Sequence, residues 1–299
     1  MDKSSYQFTM KPTYCKRTPF YLLLLLLLTF TACSTINSLS NSVSKPELSV
    51  SDASVTHLSL QDIELTFDIA INNPNPVAVN LADYNYDFQL NGQSFITGDQ
   101  IEKTEIQASS SSTIQVPVRF GYRELYDLFT SLRDKDETSY DFLFEAGINA
   151  PVIGRLNVPI EKSGTLPVIK LPKLSIKNVA LENLSLTKAD VEVNLIIDNP
   201  NAFDLSFSNF NYNLSLNDTS PISGTMDQAI HINQKSESEV TVPISLSLLE
   251  MGAALQSVLR GGDDIEYSLE GSSTVDASLP LFSPSTFNFD RSGLVNIQR

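Results

Sequence analysis

The chain contains one pattern written twice. Leu58-Ser59-Leu60 returns as Leu184-Ser185-Leu186, Asn73-Pro74-Asn75 as Asn199-Pro200-Asn201, and Tyr84-Asn85-Tyr86 as Phe210-Asn211-Tyr212. Leu90-Asn91 returns as Leu216-Asn217, Gly98 as Gly224, and Val116-Pro117-Val118 as Val242-Pro243-Ile244. The copies lie about 126 residues apart with no gap needed from Pro46 to Val118, and roughly 22 of these 73 or so positions are identical. Further on, Glu161-Lys162-Ser163-Gly164 matches Asp290-Arg291-Ser292-Gly293 after a small change of length. A repeat of this length is a whole domain, so whatever fold the chain adopts it adopts twice, over residues 46–170 and 171–299.

Within each copy the period of the apolar residues selects the class. Leu65, Phe67, Ile69 and Ile71 alternate with polar residues, and Val191, Val193, Leu195 and Ile197 repeat the alternation. Period two is a strand with one buried face. Asn-Pro then stops each strand, because proline offers no amide donor and asparagine favours turns. Tyr84, Tyr86, Phe88 and Leu90 alternate again and end at Asn91-Gly92, a hairpin dipeptide, where the second copy has Asn217-Asp218. Ile114 to Phe120 and Val240 to Leu246 read as further strands. Strands at short intervals with turn signals between them predict a sandwich. One segment departs from the pattern: Leu125, Leu128, Phe129 and Leu132 have helical spacing, as do Met251, Ala254, Leu255 and Val258 before Gly261-Gly262. The expected fold is therefore two tandem fibronectin-III- or immunoglobulin-like β-sandwiches, all-β with one short amphipathic helix in each, closing one end of the sandwich.

The first residues read as an address. Lys3, Lys11, Lys16 and Arg17 precede an apolar run that includes seven leucines, Leu22 to Leu28. That run is short for a bilayer span, which takes about 20 residues, and has the form of a secretory signal. Phe30-Thr31-Ala32-Cys33 resembles the bacterial lipobox, which implies cleavage after residue 32 and acylation of Cys33. Ser34 rather than Asp after the cysteine implies sorting to the outer membrane, on its periplasmic face. Residues 33–45 then form the lipidated start and a Ser/Asn-rich tether. Removing residues 1–32 would carry the formal charge from -15 to about -18. Cys15 leaves with the signal and Cys33 is taken by lipid.

Alternating apolar residues, then Asn73-Pro74-Asn75, then an aromatic strand ending in Leu90-Asn91-Gly92, resemble the type 2 late embryogenesis abundant family, also called the water-stress and hypersensitive-response domain. Asn199-Pro200-Asn201 repeats the motif, and Val116-Pro117-Val118 and Val242-Pro243-Ile244 resemble the family's later Val-Pro-Val strand. The resemblance covers nearly all of the chain after the tether. It implies a folded sandwich with a helix, in proteins associated with desiccation, osmotic and other stress, and some bacterial members look like lipoproteins. It brings no catalytic or ligand-binding residues. From residue type alone, the Asn-Pro-Asn motifs are read as turns whose side chains satisfy backbone groups, in preference to binding loops.

The search for chemistry finds little. With 35 Asp and Glu against 20 Lys and Arg, a nucleic-acid partner is not expected. His57 and His231 fall opposite Asn183 and Glu105 in the other copy, so each reads as a lone surface histidine. Asp134, Asp136 and Glu137, and Asp263, Asp264 and Glu266, could ligate calcium through oxygen but lack the spacing of a calcium loop, and read as solvated charge. Paired carboxylates for glycoside hydrolysis lack an aromatic cleft beside them. No cofactor, metal or catalytic residue is expected. The reading is a non-enzymatic stress-protection lipoprotein, held to the membrane by its N-terminal lipid. The alternatives are a module for a lipid or other hydrophobic ligand, using an apolar slot between the sheets, and an adaptor for another envelope protein. The connector at Lys170-Leu171-Pro172 is expected to limit the freedom of the domains.

Overall fold

The computed structural model describes residues 44–151, 153–217, 221–247, 265–295 and 297–298. The first domain contains β1 (Glu47–Leu58), β2 (Asp62–Asn73), β3 (Val79–Leu90), β4 (Gln93–Ile106), β5 (Ser110–Gly121), the helix α1 (Tyr122–Leu128), β6 (Glu137–Ala150) and β7 (Gly154–Pro167). The second contains β8 (Lys173–Leu184), β9 (Lys188–Asn199), β10 (Leu205–Leu216), β11 (Ile222–Met226), β12 (Ile230–Ile232), β13 (Ser236–Ser247), β14 (Ile265–Ala277), β15 (Ser285–Val295) and β16 (Ile297–Gln298). Sheets β1-β2-β5 and β4-β3-β6-β7 make the first sandwich. Sheets β13-β9-β8-β16 and β11-β10-β14-β15, with β12 also on β10, make the second. Among the described residues every strand pair is antiparallel except β16 on β8. The repeat extends to irregularities. Bulges interrupt β1 between Val50 and Asp52 and between Val55 and His57, and β8 is bulged at the matching positions, Ile176/Asn178 and Leu181/Asn183.

The alternation read from sequence decides which faces meet. In β2 and β9 every second side chain is buried, from Ile63 to Ile71 and from Ala189 to Ile197. In the first domain Phe67 of one sheet stacks on Phe142 of the other, with centroids 3.9 Å apart and planes at 3°. Phe88 and Tyr140 close around the same ring. Among the described residues, both interiors are lined by side chains that have almost no exposure.

Local chemistry sets the turns and the glycines. Asn91 and Gly92 have φ of 49° and 74°. Two left-handed residues in a two-residue loop match the strand twist, and asparagine and glycine adopt that conformation most readily. Gly98 and Gly224 recur for a packing reason: each lies directly across from a tyrosine, Tyr86 or Tyr212, whose ring occupies the place a Cβ would take. Gly164 under Tyr140 repeats the arrangement in the next strand pair.

Helix α1 is where the sequence reading needs correction. Leu125, Phe129 and Leu132 are buried, but Leu128 is 66% exposed. The seven-residue helix ends at Leu128, and Thr130–Leu132 continue as a tighter 3-10 turn. The buried face is centred on Tyr122, Leu125 and Phe129, which leaves Leu128 about 90° away from it on a helical wheel. The helix expected around Met251 to Val258 lies outside the described residues.

Candidate functional site

The two Asn-Pro-Asn motifs are buried clamps with the same wiring. Asn73 donates from Nδ2 to the carbonyl oxygens of Val77 (2.8 Å), Ile106 (3.3 Å) and Gln107 (3.0 Å). Its Oδ1 accepts from the backbone N–H and Nδ2 of Asn75. Asn199 donates to the carbonyls of Phe203 (2.7 Å), Ile232 (3.5 Å) and Asn233 (3.1 Å), and accepts from Asn201 in the same two ways. All four asparagines are essentially unexposed, whereas Pro74 is exposed. Asparagine suits the position because one amide both donates and accepts, and so serves carbonyls of the turn and of a neighbouring strand end at once.

The second asparagine of each motif holds the segment that enters its domain. The Asn75 amide pairs with both backbone groups of Ser44, at 2.6 and 2.9 Å. The Asn201 amide does the same to Lys170, at 2.7 and 2.9 Å. In the second copy the entering segment is the connector between domains, so the same device fixes a domain to its connector.

Ionic and polar contacts complete the junction. Asp136, at the start of the chain's path into β6, accepts from Lys170 Nζ at 3.0 Å and from Lys235 Nζ, and Lys235 also donates to the Pro200 carbonyl at 2.8 Å. One carboxylate thus joins the first domain, the connector and the second domain. Tyr126 Oη donates to the Ile169 carbonyl at 2.6 Å, and the Val168 N–H donates to the Asp136 carbonyl at 2.8 Å. On the other side, the β1–β2 turn meets the segment leading into β15. Ser283 N–H donates to the Leu58 carbonyl at 2.7 Å, and Gln61 Nε2 to the Thr286 carbonyl at 2.8 Å.

Asp136 carries a pH dependence. Hydrogen bonds from Lys235 and then Lys170 hold its carboxyl below the ordinary value of 3.8. A depressed carboxylate contributes stability that is present above the unfolded value and lost as the pH falls through the folded one. Acidification below the ordinary carboxylate value is therefore expected to loosen the connector, seen as faster hydrogen exchange at Val168 to Lys170. Asp136→Asn should exchange faster already at neutral pH and respond less to acid. Unchanged acid sensitivity in that variant would assign the effect to other carboxylates, of which Asp62 and Asp83 are the nearest in kind. Burial pushes Asp62 up, but Arg119 and Ser59 outweigh it, and Arg155 holds Asp83 down.

Between these two lines of contact lies a cleft of about 1010 Å³, with Leu60, Tyr122 and Tyr126 on the first-domain side and Pro200, Lys235 and Phe287 on the second. Neither histidine lines it. His57, read as solitary, pairs with Asp62 at 3.0 Å beside Arg119, and His231 meets Ser206 Oγ at 2.8 Å across β10 and β12. Asp136 was read as solvated charge and is instead the shared partner of two lysines, because the second domain folds back onto it. Asp263 and Asp264 lie outside the described residues, as does Cys33. Among the described residues no group of three or more His, Cys, Asp or Glu is placed to hold a metal ion. Among them, too, no helix is long and apolar enough to cross a membrane.

These features define a class: a tandem pair of antiparallel β-sandwiches, repeated down to the bulges, with paired asparagine clamps and a cleft where the domains meet. The chain belongs to the LEA_2 family of late embryogenesis abundant proteins, whose model matches residues 68–164 and 194–293, one stretch in each domain. It is similar to the late embryogenesis abundant protein Lea14-A of Gossypium hirsutum, 27% identical over 133 residues that make up 44% of this chain and 86% of that protein. It is also similar to the desiccation protectant protein Lea14 homolog of Glycine max, 26% identical over 131 residues, 44% of this chain and 84% of that protein. A solution structure from Arabidopsis thaliana matches 42% of this chain and 83% of its own at 21% identity, with a TM-score of 0.36.

Proposed function

We propose that this protein is a non-enzymatic envelope lipoprotein that protects the cell against loss of water. The observation that carries the reading is the family match in both domains, together with relatives whose names refer to desiccation. The acidic surface supports it: a net charge of -15, about -18 once residues 1–32 are removed, keeps a protein hydrated and soluble as water is withdrawn. The anchor is the lipid on Cys33, which places the two sandwiches on the periplasmic face of the outer membrane. A strain lacking the protein is expected to survive drying and osmotic shock less well than its parent, with survival restored by the wild-type gene. A palmitate analogue fed to cells should label the wild-type protein and not Cys33→Ala. Equal survival of the two strains would remove the protective role, and labelling of the alanine variant would remove the anchor. A role in handling hydrophobic ligands would have two described openings to use, the interdomain cleft and a smaller one between β4 and β5 beside the helix, lined by Phe95, Phe120 and Leu128.

A further inference from the structure

We propose that the cleft between the domains binds a small organic anion with an apolar body, its charge received by Arg123 and Arg133 and its body laid against Tyr126, Leu171 and Phe287. The inference goes beyond the protective role and does not depend on it.

The first observation is Tyr122. It lines the cleft, is 3% exposed, and its hydroxyl has no hydrogen-bond partner. Buried hydroxyls are nearly always bonded, so this one is a vacant donor in the wall of the cleft, which a small shift of the ring would present to a bound oxygen. Burial pushes the phenol well above its ordinary value, so it is held as a donor. The second is charge. In a chain of net charge -15, five cationic side chains line this one cleft. Lys170 and Lys235 are engaged by Asp136, and Lys173 faces Asp198 at 3.8 Å. The guanidinium groups of Arg123 and Arg133 make no ion pair with any described residue. Asp127 and Asp134 also line the cleft without a cationic partner, which disfavours a polyanion and leaves room for a compact single charge. The third is the wall. The Tyr126 ring is fixed in place through its hydroxyl, Phe287 is buried, and Leu171 stands 56% exposed on an otherwise buried connector. The volume of the cleft is at the upper end of the roughly 300–1,000 Å³ typical of small-molecule sites.

The test uses the full chain in nanodiscs of zwitterionic lipid, with empty discs as the blank, and equilibrium dialysis of naphthalene-2-sulfonate. Saturable binding to one site is expected. The uncharged naphthalene-2-sulfonamide should bind about tenfold more weakly. Charge reversal by Arg123→Glu with Arg133→Glu should weaken the sulfonate about tenfold and leave the sulfonamide unchanged. Tyr122→Phe should weaken the sulfonate about threefold without lowering the unfolding midpoint, since its hydroxyl bonds to no protein group. Leu171→Ser, at an exposed position, should weaken both ligands alike. Unsaturable uptake, equal binding of the two naphthalenes, or sulfonate binding indifferent to the arginine and leucine changes would overturn the proposal. None of these outcomes bears on survival of the deletion strain, so the two readings fail separately.

Discussion

Replacing Asn199 with alanine is expected to destabilise the second domain by about 4 kcal/mol, among the largest effects available to a single polar side chain. The amide is fully buried and serves three carbonyls and the N–H of Asn201. An alanine leaves these groups in an apolar interior with no partner, and each unsatisfied group costs roughly 1–3 kcal/mol before relaxation. The bonds also tie the end of β9 to the turn before β10 and to the end of β12, so their loss frees backbone as well as leaving dipoles unpaired. Asn199→Asp is an informative companion. It keeps the acceptor, loses both donors, and faces a carboxylate toward carbonyl oxygens, so it should be no better than alanine. Asn73→Ala should cost a similar amount in the first domain, because its wiring is the same. Asn201→Ala should differ from Asn75→Ala. Both release an entering segment, but only Asn201 holds the connector, so only its loss should speed hydrogen exchange at Lys170. Urea unfolding of the full chain reads the stabilities. A cost below about 1 kcal/mol for Asn199→Ala would mean that water replaces the amide, and the clamp would lose its energetic role.

What could be read in the sequence was what depends on near neighbours. Period two in residues 65–71 and 191–197 placed β2 and β9, because a strand's buried face is written in consecutive residues. Asn91-Gly92 marked a hairpin through its own backbone preferences. The 126-residue repeat made each domain an independent witness to the other. The partners of the Asn-Pro-Asn motifs were not legible. Asparagine and proline signal a turn, but two of the carbonyls that Asn73 reaches belong to Ile106 and Gln107, at the end of a strand that arrives only with the fold. The same holds for Asp136, whose pairing with Lys235 spans the two domains. A charge cluster in sequence carries no record of what folds against it. Tyr122 gave no signal at all: a tyrosine at a helix start looks like any amphipathic residue, and only its buried, unpartnered hydroxyl in the wall of a cleft distinguishes it. Leu128 was misplaced for the opposite reason: its spacing from Leu125 admits it to an apolar face, but the face the fold buries is centred on Tyr122 and Leu125 and turns Leu128 outward.

Phe67→Ala is expected to destabilise the first domain by about 4 kcal/mol, with no matching sensitivity in the second. Phe67 is fully buried at the centre of an aromatic group, stacked on Phe142 and flanked by Tyr140 and Phe88. Removing it takes away the ring's burial and leaves a cavity that neighbouring rings, rigid and already packed, fill poorly. The second copy solves the same geometry with smaller groups. Val193 stands where Phe67 does, and the strand register puts Leu214 and Leu269 where Phe88 and Phe142 lie. The sandwich thus tolerates either filling, provided the facing residues change together. That gives a sharper test than the single truncation. Phe67→Val and Phe142→Leu should each be destabilising alone, and the double variant should cost less than their sum by about 1 kcal/mol, because the stacked pair is lost only once. Hydrogen exchange of β2 amides in the full chain would follow the first domain separately from the second. Strict additivity of the two changes would show that the rings contribute by bulk alone, and that the stack between the sheets has no energy of its own.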